Sequence, residues 1–363
     1  MQTLEDLPTP AVLIDLDILA CNIANMQEQA RAAGVKLRPH AKTHKSPEVG
    51  RMQIAAGASG LTLAKTSEAE VFAAHGFDDI FLGYPIFGAD KARRLLALAD
   101  RVRLAVGVDS VEGARSLGDV FHAAGRRLDV RLKIDSGFRR VGVRPEDAVA
   151  MALRIAELPG IRLAGIFTHA GHGYGGPTPA DVARTGGEEG RIVVEAAEAV
   201  RAAGLPVEDV SLGSTPTARA GMVVPGVTEC RPGSYVYNDR SQVALGSAAP
   251  EDCAMTILAT VVSVPAPDRA VVDAGSKTLS TDPMRPSVDG NGLVVGTASR
   301  VARASEEHGV IVVAAGDAFR VGQRVRILPN HTCAVSNLHD RLVAVRGGVV
   351  EGEIRVAARG CVQ

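Results

Sequence analysis

The sequence contains no tryptophan and only 3% aromatic residues. Its core therefore cannot rest on large rings and has to come from Ala, Val, Leu and Ile. With 46% hydrophobic residues and 39 glycines, this is the composition of an α/β protein around a buried parallel sheet. Excess charge is also missing: the formal net charge is −1, with basic and acidic residues interspersed. No global field exists to hold a polyanion or a membrane surface, so nucleic-acid binding is disfavoured. The five cysteines, Cys21, Cys230, Cys253, Cys333 and Cys361, are odd in number and scattered, which argues against a secreted disulfide framework. No uncharged apolar run reaches membrane-spanning length, and the start, MQTLEDLPTPAVLIDLD, lacks the basic and apolar regions of a signal peptide. A soluble, cytoplasmic protein is expected.

What is present has a clear order. A length of 363 residues suits a large barrel plus a smaller partner domain. Eight short β-branched runs alternate with stretches of helical spacing. The runs are Val35–His40, Gly60–Ala64, Asp79–Leu82, Val102–Val108, Asp129–Ile134, Leu163–Thr168, Val207–Ser211 and Val227–Cys230. Helices are predicted near 19–33, 46–57, 67–75, 90–99, 110–124, 146–157 and 179–204, with a short one after Thr215. Eight β/α repeats point to an α/β fold, a (β/α)8 TIM barrel, over 18–245. After about residue 245 the texture becomes short strands between turn residues with almost no helical pattern. That predicts an antiparallel β domain over 246–363, with the strand-like segment within 1–17 added to it.

The most unusual segment is Leu37-Arg38-Pro39-His40-Ala41-Lys42-Thr43-His44-Lys45. Alternation along a strand would aim Arg38, His40 and Lys42 the same way, inward toward the barrel mouth. Three cations there need an anionic partner. The other polar clusters fall where strands end: Asp135–Arg140 after strand five, Thr168–His172 after six, Gly213–Thr217 after seven and Arg231–Tyr235 after eight. The last two lie where barrels build a phosphate cup from glycine N–H groups and a helix start. An inward lysine facing such a cup suggests imine formation with an aldehyde-bearing phosphate cofactor. For that the lysine must lose its proton, helped by neighbouring cations such as Arg38 and His40.

Taken in order, PHAKTHK, DSGFRRVGV, THAGHGYG, VSLGSTPT, RPGSYVYND and PNHTCAVSNLHD resemble the metal-activated, fold-type III pyridoxal-phosphate (PLP) enzymes. These include D-threonine aldolase and eukaryotic-type D-serine dehydratase, relatives of alanine racemase. The resemblance spans essentially the whole chain. It implies that Lys42 is the Schiff-base lysine, that Arg140 approaches the cofactor's phenolic oxygen and that His169 packs against the pyridine ring. Gly213, Ser214, Thr215, Gly233, Ser234 and Tyr235 would hold the phosphate, with His40 beside the cofactor. Arg231 stands where racemase relatives place an arginine on the pyridine nitrogen; a salt bridge on a strand end is the alternative.

The resemblance also matches His331 and Cys333 to a metal pair supplied by the β domain. Two residues apart in an extended segment, they would face the same way and could chelate one ion. A soft thiolate favours Zn²⁺, whereas a carboxylate in its place would favour Mn²⁺ or Mg²⁺. Within the family His-x-Cys goes with zinc-dependent dehydratases and His-x-Asp with aldolases, so this chain leans toward the dehydratases. The implied activity is a lyase on β-hydroxy D-amino acids, with His172 and Tyr174 as substrate-contacting or proton-transfer groups, in a homodimer. A racemase would need a tyrosine from the β domain, but the four tyrosines are Tyr84, Tyr174, Tyr235 and Tyr237. A non-catalytic PLP carrier would be a lone barrel.

Overall fold

The computed structural model describes residues 2–282 and 288–363. The chain divides into two compact units. One comprises Met1–Asn25, Thr43–Met52 and Ser234–Arg359; the other comprises Met26–Lys42, Gln53–Gly233 and Gly360–Gln363.

The second unit is built on eight parallel strands: Lys36–Leu37, Leu61–Leu63, Asp79–Leu82, Arg103–Val108, Leu128–Lys133, Ile161–Phe167, Asp209–Leu212 and Glu229–Cys230. Each pairs in parallel with its neighbours, the first with the eighth. The first and second meet through a parallel bridge between His40 and Thr62, as closure of a (β/α)8 ring requires. The strands are short, near-continuous apolar runs because both faces are covered. Helices Thr66–Ala74, Ala89–Ala99, Val111–Ala123, Ala148–Ala156 and Pro179–Ala202 alternate with them. Two of these starts are written in the sequence. Ser110 Oγ accepts the Gly113 N–H, and Thr178 Oγ1 accepts the Asp181 N–H with Pro179 at the first helical position. Inside the ring Phe81 and Phe167 meet edge to face, their centroids 5.0 Å apart. Gly107 makes room for them, since a Cβ there would lie 2.5 Å from the Phe167 ring.

The first strand is shorter than expected. Beyond Leu37 the Arg38 and His40 N–H groups still donate to the Cys230 and Pro232 carbonyls, both at 2.9 Å, and the chain then turns so that Lys42 sits in a 3₁₀ turn, Ala41–Thr43. The alternation argument fails only at Lys42, which the turn and not the strand positions. Arg38 does not join Lys42 but binds Asp79 and Glu229.

The first unit carries a nine-stranded sheet. Six of its strands, Met255–Ala266, Arg269–Val272, Gly309–Val312, Arg300–Ala304, Gly292–Val294 and Arg324–Pro329, pair antiparallel in a closed circuit. Ala11–Asp15, Arg341–Arg346 and Val349–Arg355 extend it. The N-terminal strand runs antiparallel to Met255–Ala266 and parallel to Arg341–Arg346. Helical turns also occur here: Ser276–Leu279 and Thr332–Leu338 were not expected from the sequence. The second begins because the buried Asp239 carboxylate accepts both the N–H and the hydroxyl of Thr332.

Candidate active site

A cavity of about 350 Å³ opens at the carboxyl ends of the parallel strands. Its walls include His40, Lys42, Tyr84, Lys133, Arg140 and Val141. Lys42 is half-buried, and its backbone N–H approaches His40 Nδ1 at 3.4 Å. Lys133 ends the fifth strand, is only 5% exposed, and stands 4.5 Å above the Phe167 ring. Among the described residues no carboxylate forms an ion pair with it. Burial, then Arg231 and Arg140, push its pKa down to about 7. Arg140 lies over the Phe138 ring at 4.5 Å, its pKa lowered by burial.

His169, on the loop after the sixth strand, donates from Nδ1 to the Gly213 carbonyl at 2.7 Å. Burial, followed by Lys42 and Lys133, holds it well below the ordinary histidine range, so the ring is neutral with Nε2 unprotonated. His172 and Tyr174 lie in the 3₁₀ segment Gly171–Gly175 on the same loop. Burial also lowers His172, and its Nε2 sits 3.3 Å from the Cβ position of Gly137.

The loop after the seventh strand needs its glycine. Gly213 has φ +142°, and a Cβ would fall 2.7 Å from the Arg231 backbone nitrogen. Ser214 and Thr215 are buried beside it, and Gly233 N–H donates to Thr215 Oγ1 at 3.2 Å. Ser234 and Tyr235 follow in a buried turn. Beneath these loops lies Glu189, a buried carboxylate that sequence reasoning missed. It accepts Ala170 N–H at 2.8 Å, Gly213 N–H at 3.3 Å and Thr217 Oγ1 at 3.1 Å. One side chain thereby ties the loops after strands six and seven together.

Arg231 is buried. It donates to Ser211 Oγ and, at 2.5 Å, to the Thr168 carbonyl, with its guanidinium against the Phe81 and Phe167 rings. Burial lowers its pKa to about 10, although Glu229 opposes this. No salt bridge forms at Arg231 itself; Glu229 pairs instead with Arg38 and Arg131.

These groups fit a PLP. Lys42, Lys133 and Arg140 converge on one cavity, and Lys133 is buried without an ion-pair partner. Burial holds Lys133 close to losing its proton at neutral pH, and an arriving anion would favour its charged form. The cofactor's phosphate and phenolate, and a substrate carboxylate, are anions of the required kind. Of the two neighbours expected to help Lys42 lose its proton, His40 shares its cavity and Arg38 does not. Arg38 is neutralised by two carboxylates and its pKa is raised, whereas Lys133 and Arg140 face the cavity. The available signal was the period-two spacing of Arg131 and Lys133, two cations on the inward face of one strand.

The metal-capable pair lies in the other unit. His331 precedes the helix carrying Cys333, so the segment is a strand end and a first helical turn rather than extended throughout. The two side chains are close enough to hydrogen-bond. Cys333 Sγ also lies 3.1 Å from Thr43 Oγ1 and 3.6 Å from Ser234 Oγ. His331 Nδ1 meets Asp282 Oδ2 at 2.8 Å. Burial would lower the imidazole, but Cys333 and Asp282 raise it to about 10. Among the described residues no group of three His, Cys, Asp or Glu side chains forms a closed metal cage. A two-ligand set with open positions fits an ion that receives substrate better than a structural one.

Fold and site together define a PLP-dependent enzyme on an alanine racemase-like scaffold. The chain matches the family described as alanine racemase, N-terminal domain, over residues 14–241, and the putative serine dehydratase domain over 254–345. It is 41% identical over 356 residues to D-threo-3-hydroxyaspartate dehydratase from Delftia sp. (strain HT23), covering 92% of each chain. It is 35% identical over 358 residues to D-threonine aldolase from Arthrobacter sp, covering 97% of this chain and 93% of that one. Among solved structures, a cysteine-to-alanine mutant of D-threo-3-hydroxyaspartate dehydratase "in the metal-free form" superposes with a TM-score of 0.91, at 38% identity over 98% of this chain and 99% of that one. The chain belongs to the fold-type III PLP enzymes, in the family of D-amino acid dehydratases and aldolases, and is a lyase.

Proposed function

We propose that the chain is a PLP- and divalent-metal-dependent dehydratase of β-hydroxy D-amino acids. Its substrate would be of the D-serine or 3-hydroxy-D-aspartate type, and its products the oxo acid and ammonia. The observation that carries this reading is Lys42 in a cavity with excess positive charge, in a chain that also pairs His331 with Cys333. Its similarity to the D-threo-3-hydroxyaspartate dehydratase of Delftia sp. supports it. PLP would be held by Lys42, Arg140, His169 and the Gly213–Thr215 and Gly233–Tyr235 segments, and would supply an electron sink for charge developing at Cα. His331 and Cys333 would hold one metal ion, Zn²⁺ by the softness of the thiolate, whose chemistry is Lewis-acid assistance to a departing hydroxide.

The chain's own groups then have distinct tasks. Lys42 Nζ takes the Cα proton, in a cavity it shares with the cations Lys133 and Arg140. Those two cations also anchor carboxylate. The neutral His169 ring presents a flat face and cannot compete for the proton. Loss of the Cα proton and the β-hydroxide leaves an enamine, which tautomerises to an imine. Water hydrolyses the imine to oxo acid and ammonia. His172 and Tyr174, in the Gly171–Gly175 segment after the sixth strand, are assigned to substrate contact or proton transfer. The second reading is retro-aldol cleavage to glycine and an aldehyde, in which the hydroxyl proton is removed instead; similarity to the D-threonine aldolase of Arthrobacter sp favours it.

Product analysis with D-serine, D-threonine and D-threo-3-hydroxyaspartate decides between them. Oxo acid with ammonia supports the dehydratase, and glycine or glyoxylate the aldolase. No turnover of any of the three overturns both. A cytoplasmic homodimer is proposed with this reading, and sedimentation of the holoenzyme tests the assembly. No described helix is long and apolar enough to cross a membrane.

A further inference from the structure

The His331–Cys333 pair has a carboxylate behind it. Asp282 Oδ2 lies 2.8 Å from His331 Nδ1 and is placed there by a different segment, 49 residues earlier in the chain. Asp282 shows 43% side-chain exposure, while His331 shows 19%. An exposed carboxylate gains little from a surface ion pair, so general stability gives weak reason for this contact. Metal chemistry gives a stronger one. A ligating imidazole must be neutral and must present one nitrogen's lone pair, and a carboxylate on the other N–H fixes both tautomer and ring orientation. Asp282 on Nδ1 leaves Nε2 as the donor nitrogen. It also makes the ring a better donor by drawing its remaining proton.

Resting on the metal reading above, we propose that Asp282 is a positioning residue for the metal. It locks His331 in the Nδ1–H tautomer with Nε2 directed to the ion, and is not itself a ligand.

The test measures Zn²⁺ affinity of the PLP-loaded protein by competition with a chromophoric chelator, for wild type, Asp282→Ala and Asp282→Asn. Co²⁺ d–d spectra of each report the ligand set. Loss of the orienting carboxylate is expected to weaken Zn²⁺ binding about 10–100-fold in Asp282→Ala, with the cobalt spectrum's band positions and intensity retained. Asp282→Asn keeps an acceptor for Nδ1–H and should recover most of the affinity. Cofactor absorbance and the metal-free melting temperature should stay at wild-type values in both variants, because Asp282 is solvent-facing. Wild-type affinity in Asp282→Ala overturns the proposal while leaving the metal reading intact. Equal losses in Ala and Asn with a changed cobalt spectrum also overturn it, since Asp282 would then be a ligand. Absence of stoichiometric metal in wild type overturns the metal reading and the proposal together.

Discussion

Glu229→Gln changes one oxygen to a nitrogen in the middle of the parallel ring, and its cost can be worked from the structure. Glu229 has no exposed surface. It accepts Arg38 Nε at 2.6 Å, Arg131 at 2.5 Å and Ser211 Oγ at 2.6 Å. Burial alone would raise its pKa, yet Arg131 and Arg38 bring it from 4.5 down to about 2. At about 1.4 kcal/mol per pKa unit, that shift is worth about 3 kcal/mol. Removing one partner of a buried ion pair costs about 3–5 kcal/mol. The low end applies here, because Arg38 keeps Asp79 and Arg131 keeps Asp209. Both routes give about 3 kcal/mol, or a melting temperature lower by about 6–12 °C in a unit of this size. The pH dependence has a fixed sign. A carboxylate depressed in the folded state stabilises fully above its unfolded pKa near 4.5, and this stability is lost as pH falls toward 2. Calorimetry of both proteins from pH 7 to 3 should therefore show a gap that is constant above about pH 5 and more than half closed by about pH 3. Equal stabilities at pH 7, or a gap that ignores pH, would refute the assignment of Glu229 as the charged node of the ring.

Lys42→Ala should abolish both the visible absorbance of the bound cofactor and turnover; survival of either removes Lys42 from its proposed role. Lys133→Met should raise the melting temperature of cofactor-free protein at pH 7, because it deletes a buried cation. The folded-state pKa of about 7 lies below the ordinary 10.5, so wild-type stability should rise between pH 7 and 10.5, a slope the variant lacks. The same variant should bind PLP more weakly, as measured by titrating absorbance. Cys333→Asp replaces a soft ligand by a hard one, and the metal that best restores activity after chelation should move from Zn²⁺ toward Mn²⁺; an unchanged preference would count against Cys333 as a ligand.

Much of this was legible in the sequence because parallel strands advertise themselves. The run Asp79–Leu82 coincides with its observed strand, and the others agree to within a few residues, since buried apolar runs between helices admit few alternatives. The polar clusters at strand ends were legible for the same reason. What failed was local geometry set by distant partners. Alternation put Arg38 beside Lys42, but two carboxylates from other strands claimed the guanidinium and a 3₁₀ turn carries Lys42. The helix at Thr332–Leu338 was missed because its start is capped by Asp239, almost a hundred residues away. Glu189 was invisible because, in a helix of charged and small residues, nothing distinguishes the one carboxylate that turns inward.

The ring solves one electrostatic problem in two ways at its two ends. At the end where the strands begin, Arg38, Arg131, Asp79, Asp209 and Glu229 neutralise one another, and the ions are a substitute for the branched aliphatic layers that usually fill such a lumen. At the end where the strands finish, Lys42, Lys133 and Arg140 line one cavity, and among the described residues no carboxylate forms an ion pair with Lys133. Arg231 stands between, joined to the balanced end through Ser211 and Glu229 and to the open end through the Thr168 carbonyl. A lumen that neutralises its charges at one end and gathers cations at the other is preorganised for anions on that side. Occupancy of that side by anions then costs no carboxylate its partner.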